Sequence, residues 1–396
     1  MDVSIAKSAS RRNRVLTVTA PLTATARASD RLLSLDVLRG LAVMGMVLVN
    51  SAAGLFYGQK VEVLPTLLHV PWAGLTLADF VFPAFLMMVG VSIPLAHAGV
   101  QDRETAPGSQ SRHILARAAR LFLLGFLLSN IGWFIDLDSG GWRLFGVLQR
   151  IGLVYAACAL LAMAIAPRAR LVIIAAILLL YWPLVLAPAL DSLPTDITQR
   201  GHNFVASVDR ALLGAGEHIY VKGPAGYDPE GLLGTLPAIA HGLIGVALGE
   251  YLLRVPGRQS AKPLALAGLA MLAMGLAWSP FFPIIKDIWS SSFVLVTAGA
   301  TTLALALLHG GIDRPGARPV WPLLIPLAFG TNAIAAYALH MVTGSVLGWD
   351  FLVAPFVLAR TVMPEALASL IPITLYMALI WLAMEYLRRK GWIVKI

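Results

Sequence analysis

The chain has 396 residues, of which 58% are hydrophobic and only 13% are charged, and its formal net charge at pH 7 is +9. Soluble domains carry roughly 25% charged residues, so this chain has too little charge to cover a surface that faces water. The composition predicts a membrane protein, and the long apolar runs lack the two-residue alternation of a β-barrel. The basic excess is expected in cytoplasmic loops, so we expect no nucleic-acid partner.

The cysteine content and the absence of known motifs exclude several kinds of site. The single cysteine, Cys158, lies within an apolar segment, so the chain can form neither an internal disulfide nor a site with several thiolate ligands. The sequence also lacks a zinc-binding His-Glu-x-x-His motif, a nucleophile elbow and a glycine-rich nucleotide loop. We therefore expect no metal.

Residues 1–30 are rich in Ser, Thr, Ala and Arg and are expected to form a disordered cytoplasmic tail. The remainder, 31–396, is expected to be a single transmembrane domain. Ten apolar segments in it have roughly the 20 residues that a membrane span needs. They are about 35–55, 75–96, 113–133, 144–166, 170–189, 231–253, 263–282, 289–309, 320–343 and 367–387.

The distribution of basic residues orients these segments. If the N-terminus is cytoplasmic, most of the 30 Lys and Arg residues fall on the cytoplasmic side. By the positive-inside rule this predicts an all-α, polytopic membrane protein of about ten transmembrane helices with both termini cytoplasmic. Residues 351–362 are too short to span and are expected to be an interfacial or re-entrant segment.

One long outside loop, about 190–230, stands out by its composition. It holds six acidic residues, three basic residues and several aromatic ones. This composition suits a polar or cationic ligand such as an amino sugar, and a solvated linker is the alternative.

Polar residues from several segments fall at one depth near the outer ends of the predicted spans. Such a layer usually faces a common cavity, so it is a candidate site. Asn332 is expected at mid-membrane. The residues of the layer are Asn50, His69, Asp79, Gln149, Arg150, Lys286, Ser291 and His340.

Structural explanations are also open for these residues. Asp79 could form a buried ion pair with Arg150, and Asp36 could neutralise Arg39 three residues later on the first span. The amide side chains and the histidine of the ninth span could make interhelical hydrogen bonds. His69 differs from these because it lies in a link at the predicted membrane surface, just before a proline and a tryptophan.

Several motifs resemble the heparan-α-glucosaminide N-acetyltransferase family, whose bacterial members belong to the transmembrane acyltransferases. The first contains Leu-Asp-Val-Leu-Arg-Gly and ends at Asn50, and the second is His-x-x-Trp-x-Gly-Leu-Thr-x-Ala-Asp-Phe-Val-Phe-Pro from His69. One departure is Gln149-Arg150, where two basic residues are more usual in the family. The further matching stretches are 89–93, 148–152, 227–232, 286–295 and 329–334.

The resemblance implies acetyl transfer from cytosolic acetyl-CoA to the amine of a glucosamine-type sugar on the periplasmic side of a bacterial inner membrane. It implies acetyl-CoA as co-substrate, an amino sugar or glycan as acceptor, the lipid bilayer as surroundings, and association in homodimers. It also implies a catalytic role for His69 and for Asn50. A histidine is the usual base for deprotonating an attacking amine, and Asp79 is expected to orient its ring.

The other roles follow from charge and position. Asn50, Gln149 and Arg150 are all candidates for the oxyanion donor, and direct transfer and an acetylated His69 both stay open. The residues expected to bind the cofactor are Arg39, Asp36, Arg150, Gln149 and Arg120. Those expected to bind the substrate are Trp72, Asp228, Glu230, Lys286, Trp289, Ser291, Asn332 and His340.

Two other functions are compatible with the sequence. An amino-sugar transporter or permease would use the polar layer as a substrate path. An O-acetyltransferase of an envelope glycan would use the same chemistry on a hydroxyl acceptor.

Overall fold

The structure is a computed structural model. It describes residues 32–98, 108–138, 140–216, 218–313 and 319–394. The predicted tail, 1–30, therefore lies outside the described residues. The described residues from Leu33 onward form one compact unit.

Helices account for nearly all regular structure in the described ranges, which contain no strand and only two isolated bridges, Ala73 with Ile285 and Val221 with Tyr227. The predicted all-α class is thus confirmed for these residues. The helices are α1 Leu33–Ala53, α2 Ala78–Ala98, α3 Ser109–Ser129, α4 Ile131–Ile135, α5 Val147–Ala164, α6 Pro167–Val185, α7 Phe204–Leu213, α8 Thr235–Arg254, α9 Ala261–Trp278, α10 Ser291–Ile312, α11 Trp321–Thr331, α12 Ala333–Leu347, α13 Val353–Ala359, α14 Glu365–Ala368 and α15 Leu370–Arg389.

Eight helices in the described ranges are long and apolar enough to cross a membrane. A ninth span results if α11 and α12, which meet at a bend of 77°, are taken together. The short apolar helix over Asp350–Ala359 agrees with the predicted short segment near 351–362. The chain therefore has the helices of a multi-pass membrane protein.

The predicted count of ten is not reached, and the difference lies in α3. This helix has 21 residues, but Arg112, Arg117 and Arg120 are exposed on its first three turns. Three exposed guanidinium groups shorten the apolar length that can lie in hydrocarbon. The tenth span and the cytoplasmic placement of the termini stay predictions.

Two helix pairs approach so closely that only glycine fits at the contact. Gly40 of α1 and Gly330 of α11 pack against each other's backbone, and a Cβ on either would overlap a carbonyl oxygen of the other helix. Gly90 of α2 meets the backbone of Gly242 in α8 in the same way. Small residues at such contacts allow dispersion forces to hold helices together in lipid. These contacts join α1 closely to α11 and α2 closely to α8.

Asn332 forms the break between α11 and α12. Its Nδ2 donates to the carbonyl of Trp392, 3.1 Å away, and its Oδ1 accepts from the amide of Val394, 3.0 Å away. Both partners follow the end of α15, so Asn332 is held by the C-terminal segment.

We call the end of the bundle that carries the link 59–77 between α1 and α2 the His69 end. At the opposite end, Asp313 after α10 accepts a hydrogen bond from the amide of Ser34 at 2.9 Å and lies 2.7 Å from His309 Nδ1. Burial alone would raise the pKa of the Asp313 carboxyl, but the His309 and Ser34 hydrogen bonds outweigh it and lower the pKa. His309 Nε2 lies 2.8 Å from Ser260 Oγ. This network joins α1, α10 and the turn before α9.

Long segments cover the His69 end and share one apolar core. Trp72 packs edge-on against Tyr227 and donates from Nε1 to the carbonyl of Ile197 at 2.7 Å. Tyr181 of α6 donates to the carbonyl of Ile288 at 2.7 Å. The long loop near 190–230 is therefore folded onto the bundle and is not a solvated linker.

Candidate active site

His69 and Asp79 form a hydrogen-bonded pair at the His69 end. His69 Nδ1 lies 2.7 Å from Asp79 Oδ1, and their side chains are 39% and 0% exposed. A buried carboxylate that accepts Nδ1–H holds the ring in one tautomer and leaves Nε2 free to accept a proton. The alternative ion pair between Asp79 and Arg150 does not form, because each has another partner.

The start of α2 holds the carboxylate in place. The Thr76 amide donates to Asp79 Oδ2 at 2.8 Å. In a capping box, an acidic side chain three residues into the helix accepts from the N-cap amide in the same way. The Thr76 hydroxyl lies 3.0 Å from the same oxygen and 2.7 Å from the carbonyl of Leu68. Because Leu68 precedes His69, this threonine links both partners of the pair.

The link is also braced against the segment before α10. The Gly74 amide donates to the carbonyl of Ile284 at 2.9 Å, and Gly74 has φ +126°, which favours glycine. Two residues later in that segment, Lys286 lies within electrostatic range of both Asp79 and Glu230. The Lys286 side chain makes no hydrogen bond or ion pair with a residue that the structure describes. Lys286 thus lies near the pair, and its predicted substrate role stays a prediction.

Trp289 ends the turn that carries Lys286. It has φ +53°, which is uncommon for a residue with a side chain, and its amide donates to the carbonyl of Lys286 at 2.9 Å. The indole is 1% exposed and contacts Phe82 and His241 edge-on. Burial of this large side chain holds the strained turn closed, so its contribution is packing and not exposed surface for a ligand.

Arg143 holds the two acidic side chains of the long loop. It donates from Nε and Nη2 to Asp228 at 2.8 and 2.6 Å, and also to Glu230. The Tyr220 ring lies 4.5 Å from its guanidinium carbon. Burial alone would lower the pKa of Arg143, but the bonds to these carboxylates raise it. Asp228 and Glu230 are therefore neutralised and do not present free carboxylates to an amine.

Sequence reasoning did not assign a role to Arg143, although it is one of the few basic residues of the predicted outside segments. Nor did it single out Asp209 on α7. Asp209 is 1% exposed, and its carboxylate accepts from the amides of Asp228 and Leu232 at 3.3 and 3.2 Å. Burial raises its pKa to about 7. No local sequence signal marks these contacts.

Arg150 is fully buried at the start of α5. Its Nη2 donates to the carbonyl of Gly231 at 3.1 Å, and its guanidinium carbon lies 5.4 Å from the Trp289 ring. Its Nε and Nη1 have no hydrogen-bond partner among the described residues. A buried guanidinium with free N–H groups is costly unless something else accepts from it. Arg150 can therefore stabilise negative charge.

Gln149 and Arg150 face different helices. The Gln149 side chain packs so closely against Gly125 of α3 that a Cβ on Gly125 would collide with it. Its Nε2 donates to the carbonyl of Leu144 at 3.2 Å. Successive helical residues are separated by about 100°. The Gln149 side chain therefore faces α3 and does not contact Gly231 or Trp289, the residues that Arg150 contacts.

Several other predicted residues are engaged away from the pair. Ser291 donates to the carbonyl of Leu178 at 2.6 Å, and His340 packs against Trp349 and Tyr376. Trp72 and Asn332 make the structural contacts given above. The structure does not join these four to His69, and their predicted substrate roles stay predictions.

The residues predicted to bind the cofactor through charge lie mostly at the opposite end. Arg39 donates to Asp36 at 3.0 Å, the expected i, i+3 pair, and to Ser92 Oγ of α2 at 2.7 Å. Arg120 is exposed on α3 and donates to its own helix at Ala116. Eleven residues of α1, or about 16 Å, separate Arg39 from Asn50.

Asn50 lies one turn beyond an internal cavity. Val43, Met46 and Asn50 follow each other along one face of α1, and the first two line the cavity. Phe85 of α2, about 9 Å along that helix from Asp79, lines it as well. Asn50 is half-buried, and its side chain makes no hydrogen bond to a described residue. The remaining lining residues are Val147, Leu148, Ile151, Ala333, Ile334 and Tyr337.

Comparison with known proteins agrees with the motifs. The family described as heparan-alpha-glucosaminide N-acetyltransferase, catalytic, matches residues 31–214. The human heparan-alpha-glucosaminide N-acetyltransferase is 27% identical over 364 residues, covering 79% of this chain and 53% of its own. The mouse protein of the same name is 26% identical, covering 79% and 54%.

The chain thus spans about half the length of the curated relatives that it matches. The matched range contains His69, Asp79 and Asn50, together with Arg143 and Arg150. The resemblance deduced from the motifs is confirmed: the chain is similar to the catalytic family over residues 31–214 and to the two heparan-alpha-glucosaminide N-acetyltransferases named above.

Proposed function

We propose that this protein is a transmembrane acetyltransferase that moves an acetyl group from acetyl-CoA to the amine of a glucosamine-type sugar. The observation that carries the proposal is the pair of His69 and Asp79, in which a buried carboxylate orients a partly exposed imidazole. The names of the relatives support the reaction class and the acceptor.

The chemistry follows from the geometry of this pair. The neutral sugar amine attacks the thioester carbon, and His69 Nε2 takes a proton from the amine as the new C–N bond forms. The C–S bond then breaks, and the same proton passes to the departing thiolate, so that coenzyme A leaves as a thiol. Asp79 stays ionised and stabilises the protonated ring. We favour this direct transfer over an acetylated His69, because an imidazole that carries the acetyl group on Nε2 could not also take the proton from the sugar amine.

Two groups are suited to the negative charge that develops on the thioester oxygen. Arg150 has two guanidinium nitrogens, Nε and Nη1, without a partner among the described residues, and the side-chain amide of Asn50 is free. We assign the donor role to Asn50, since Met46 on the same face lines the cavity below it, and a preorganised donor there is worth several kcal/mol. Arg150 would act at longer range.

The proposed orientation places the His69 end on the periplasmic side of a bacterial inner membrane, with both termini in the cytoplasm and α3 as the tenth span. Basic residues at the opposite end, Arg39 and Arg120, would then meet the CoA phosphates. The pantetheine arm would pass between the helices that line the small apolar cavity. Association in homodimers belongs to the same proposal.

The direct test uses the purified protein in detergent or liposomes with labelled acetyl-CoA and glucosamine. We expect labelled N-acetylglucosamine, identified by mass spectrometry as a base-stable amide. A base-labile ester would instead show an O-acetyltransferase. Uptake of glucosamine into liposomes with no acetyl transfer would contradict the proposal and identify a transporter.

A further inference from the structure

The cavity between α1, α2, α5 and α12 is almost entirely apolar. Eight of its nine lining residues carry no polar side-chain atom other than sulfur, and Tyr337 is the exception. The pantetheine arm of acetyl-CoA carries two amides, one of which is separated from the thioester sulfur by two methylenes. A buried amide without a hydrogen-bond partner costs about 1–3 kcal/mol. If the arm passes here, its amides have one side chain to bind.

Tyr337 is placed to meet that need. It lies on the second turn of α12, directly after the break that Asn332 holds. Its hydroxyl makes no hydrogen bond to a residue that the structure describes. The hydroxyl lies within electrostatic range of Glu230 and Arg143, which belong to the segments over the His69 end. Tyr337 therefore lies between the apolar cavity and the charged residues above it.

The distances along α1 and α2 from Asn50 and Asp79 to the cavity agree with an amide of the donor lying beside Tyr337. Met46 lies four residues before Asn50, or about 6 Å along α1, and Phe85 lies about 9 Å from Asp79 along α2. A thioester held beside His69 and Asn50 would extend its cysteamine amide toward the cavity by a few ångströms. That is the region between the pair and the apolar lining.

We propose that Tyr337 is a positioning residue whose hydroxyl hydrogen-bonds the cysteamine amide of the acyl-CoA donor and so sets the thioester beside His69. The inference rests on the proposed function, because it presumes an acyl-CoA donor. It adds a residue outside the matched motifs and the matched range 31–214. It predicts that recognition of the donor depends on an amide and not on the acetyl group alone.

The test compares three donors in the wild type and in Tyr337→Phe. Acetyl-CoA has both amides, S-acetyl-N-acetylcysteamine keeps the one nearest the thioester, and S-ethyl thioacetate has none. Loss of a neutral hydrogen bond worth about 0.5–1.5 kcal/mol corresponds to roughly 2–12-fold. We expect Tyr337→Phe to lower kcat/KM by this factor with the first two donors and to leave S-ethyl thioacetate unchanged.

A matched control and a binding measurement separate this role from a structural one. Tyr155→Phe alters a tyrosine of α5 that contacts Arg117 and does not line the cavity, and we expect no change with any donor. Calorimetry should show that Tyr337→Phe also weakens binding of coenzyme A itself, and scanning fluorimetry without ligand checks that the variant is folded.

An equal loss with all three donors, or no loss with acetyl-CoA, would overturn the assignment of Tyr337. Failure of the wild type to acetylate glucosamine with acetyl-CoA would instead overturn the proposed function, and the two failures are distinguished by the wild-type reaction alone.

Discussion

The imidazole of His69 and the carboxylate of Asp79 are 2.7 Å apart, yet one side chain is 39% exposed and the other is completely buried. The buried partner cannot exchange its hydrogen bond for water, so the exposed ring is held at a fixed orientation where a substrate can reach it. The same division between an exposed base and a buried orienting group serves acyl transfer on unrelated folds.

His69→Ala should abolish acetyl transfer while leaving acetyl-CoA binding largely intact. Removal of a general base costs about 10²–10⁴-fold in rate, and the side chain of His69 is 39% exposed, so its loss leaves most of the packing at this end in place. Turnover and acetyl-CoA binding are measured on the same preparation. His113→Ala, an exposed histidine at the start of α3, is the control. Normal turnover by His69→Ala would remove the histidine from the mechanism.

Asp79→Asn tests whether orientation of the ring matters. The side chain keeps its size and its oxygen can still accept from the Thr76 amide, but an amide N–H placed against Nδ1 favours the wrong tautomer. We expect kcat to fall by about 10²-fold or more with little change in KM for acetyl-CoA. Asp196→Asn in the exposed part of the long loop is the control. A change confined to thermal stability would indicate that Asp79 is only structural.

Arg143→Ala should destabilise the protein strongly. The change leaves Asp228 and Glu230 buried without their shared partner, and breaking a buried ion pair in this way costs roughly 3–5 kcal/mol. Scanning fluorimetry in detergent measures the decrease in melting temperature relative to the wild type. Adding Asp228→Asn and Glu230→Gln to Arg143→Ala should recover part of the loss. Arg360→Ala, whose pair with Glu365 is 3.6 Å long and half exposed, should cost less than about 1 kcal/mol.

Asp209 makes a predictable contribution to the pH dependence of stability. Burial raises its pKa to about 7, against about 3.9 in an unfolded chain. Between these pH values the folded protein holds a proton on Asp209 that the unfolded chain has lost. The contribution of Asp209 to the free energy of unfolding therefore falls as the pH rises from about 4 to 7, and it is constant above pH 7. The difference in stability between the wild type and Asp209→Asn should therefore depend on pH in that interval. A difference that is constant across it would contradict the raised pKa.

Arg39→Ala tests the proposed binding of CoA phosphates at the opposite end. Arg39 is 22% exposed and about 16 Å along α1 from Asn50. We expect a several-fold higher KM for acetyl-CoA and a nearly unchanged kcat, together with an unchanged KM for S-acetyl-N-acetylcysteamine, which has no phosphates. An equal effect on both donors would show that Arg39 serves the packing of α1 on α2 through Ser92.

Local sequence patterns correctly predicted which side chains pair where the two residues are close in sequence. Asp36 and Arg39 are three residues apart on one helix and do pair. His69 and Asp79 are joined by a short link that begins with a proline-containing turn and ends in a capped helix, so their meeting depends on few residues. The segment near 113–133 was predicted as a span, but Arg112, Arg117 and Arg120 all lie in the first half of α3 and make this helix less apolar than the other spans.

The bonds of Arg143 to Asp228 and Glu230, and of Arg150 to Gly231, could not be predicted in this way, because these partners are more than 80 residues apart. Their equal predicted depth in the membrane placed Gln149 and Arg150 in one polar layer. Successive helical residues are rotated by about 100°, however, so the two side chains face different helices. Asn332 likewise proved to be bound by the C-terminal segment.

The amino-acid sequence alone determined that this chain is a helical membrane protein, since its apolar segments leave too little charge for a water-facing surface, and it determined the class of enzyme that its motifs resemble. Only the tertiary structure decided which polar groups meet, because hydropathy sets how deep a residue lies but the rotation and close packing of helices set what it faces. That is why His69, Asp79 and Lys286 come together while Gln149, Asn332 and His340 do not join them, and why Tyr337 became visible only with the cavity it lines.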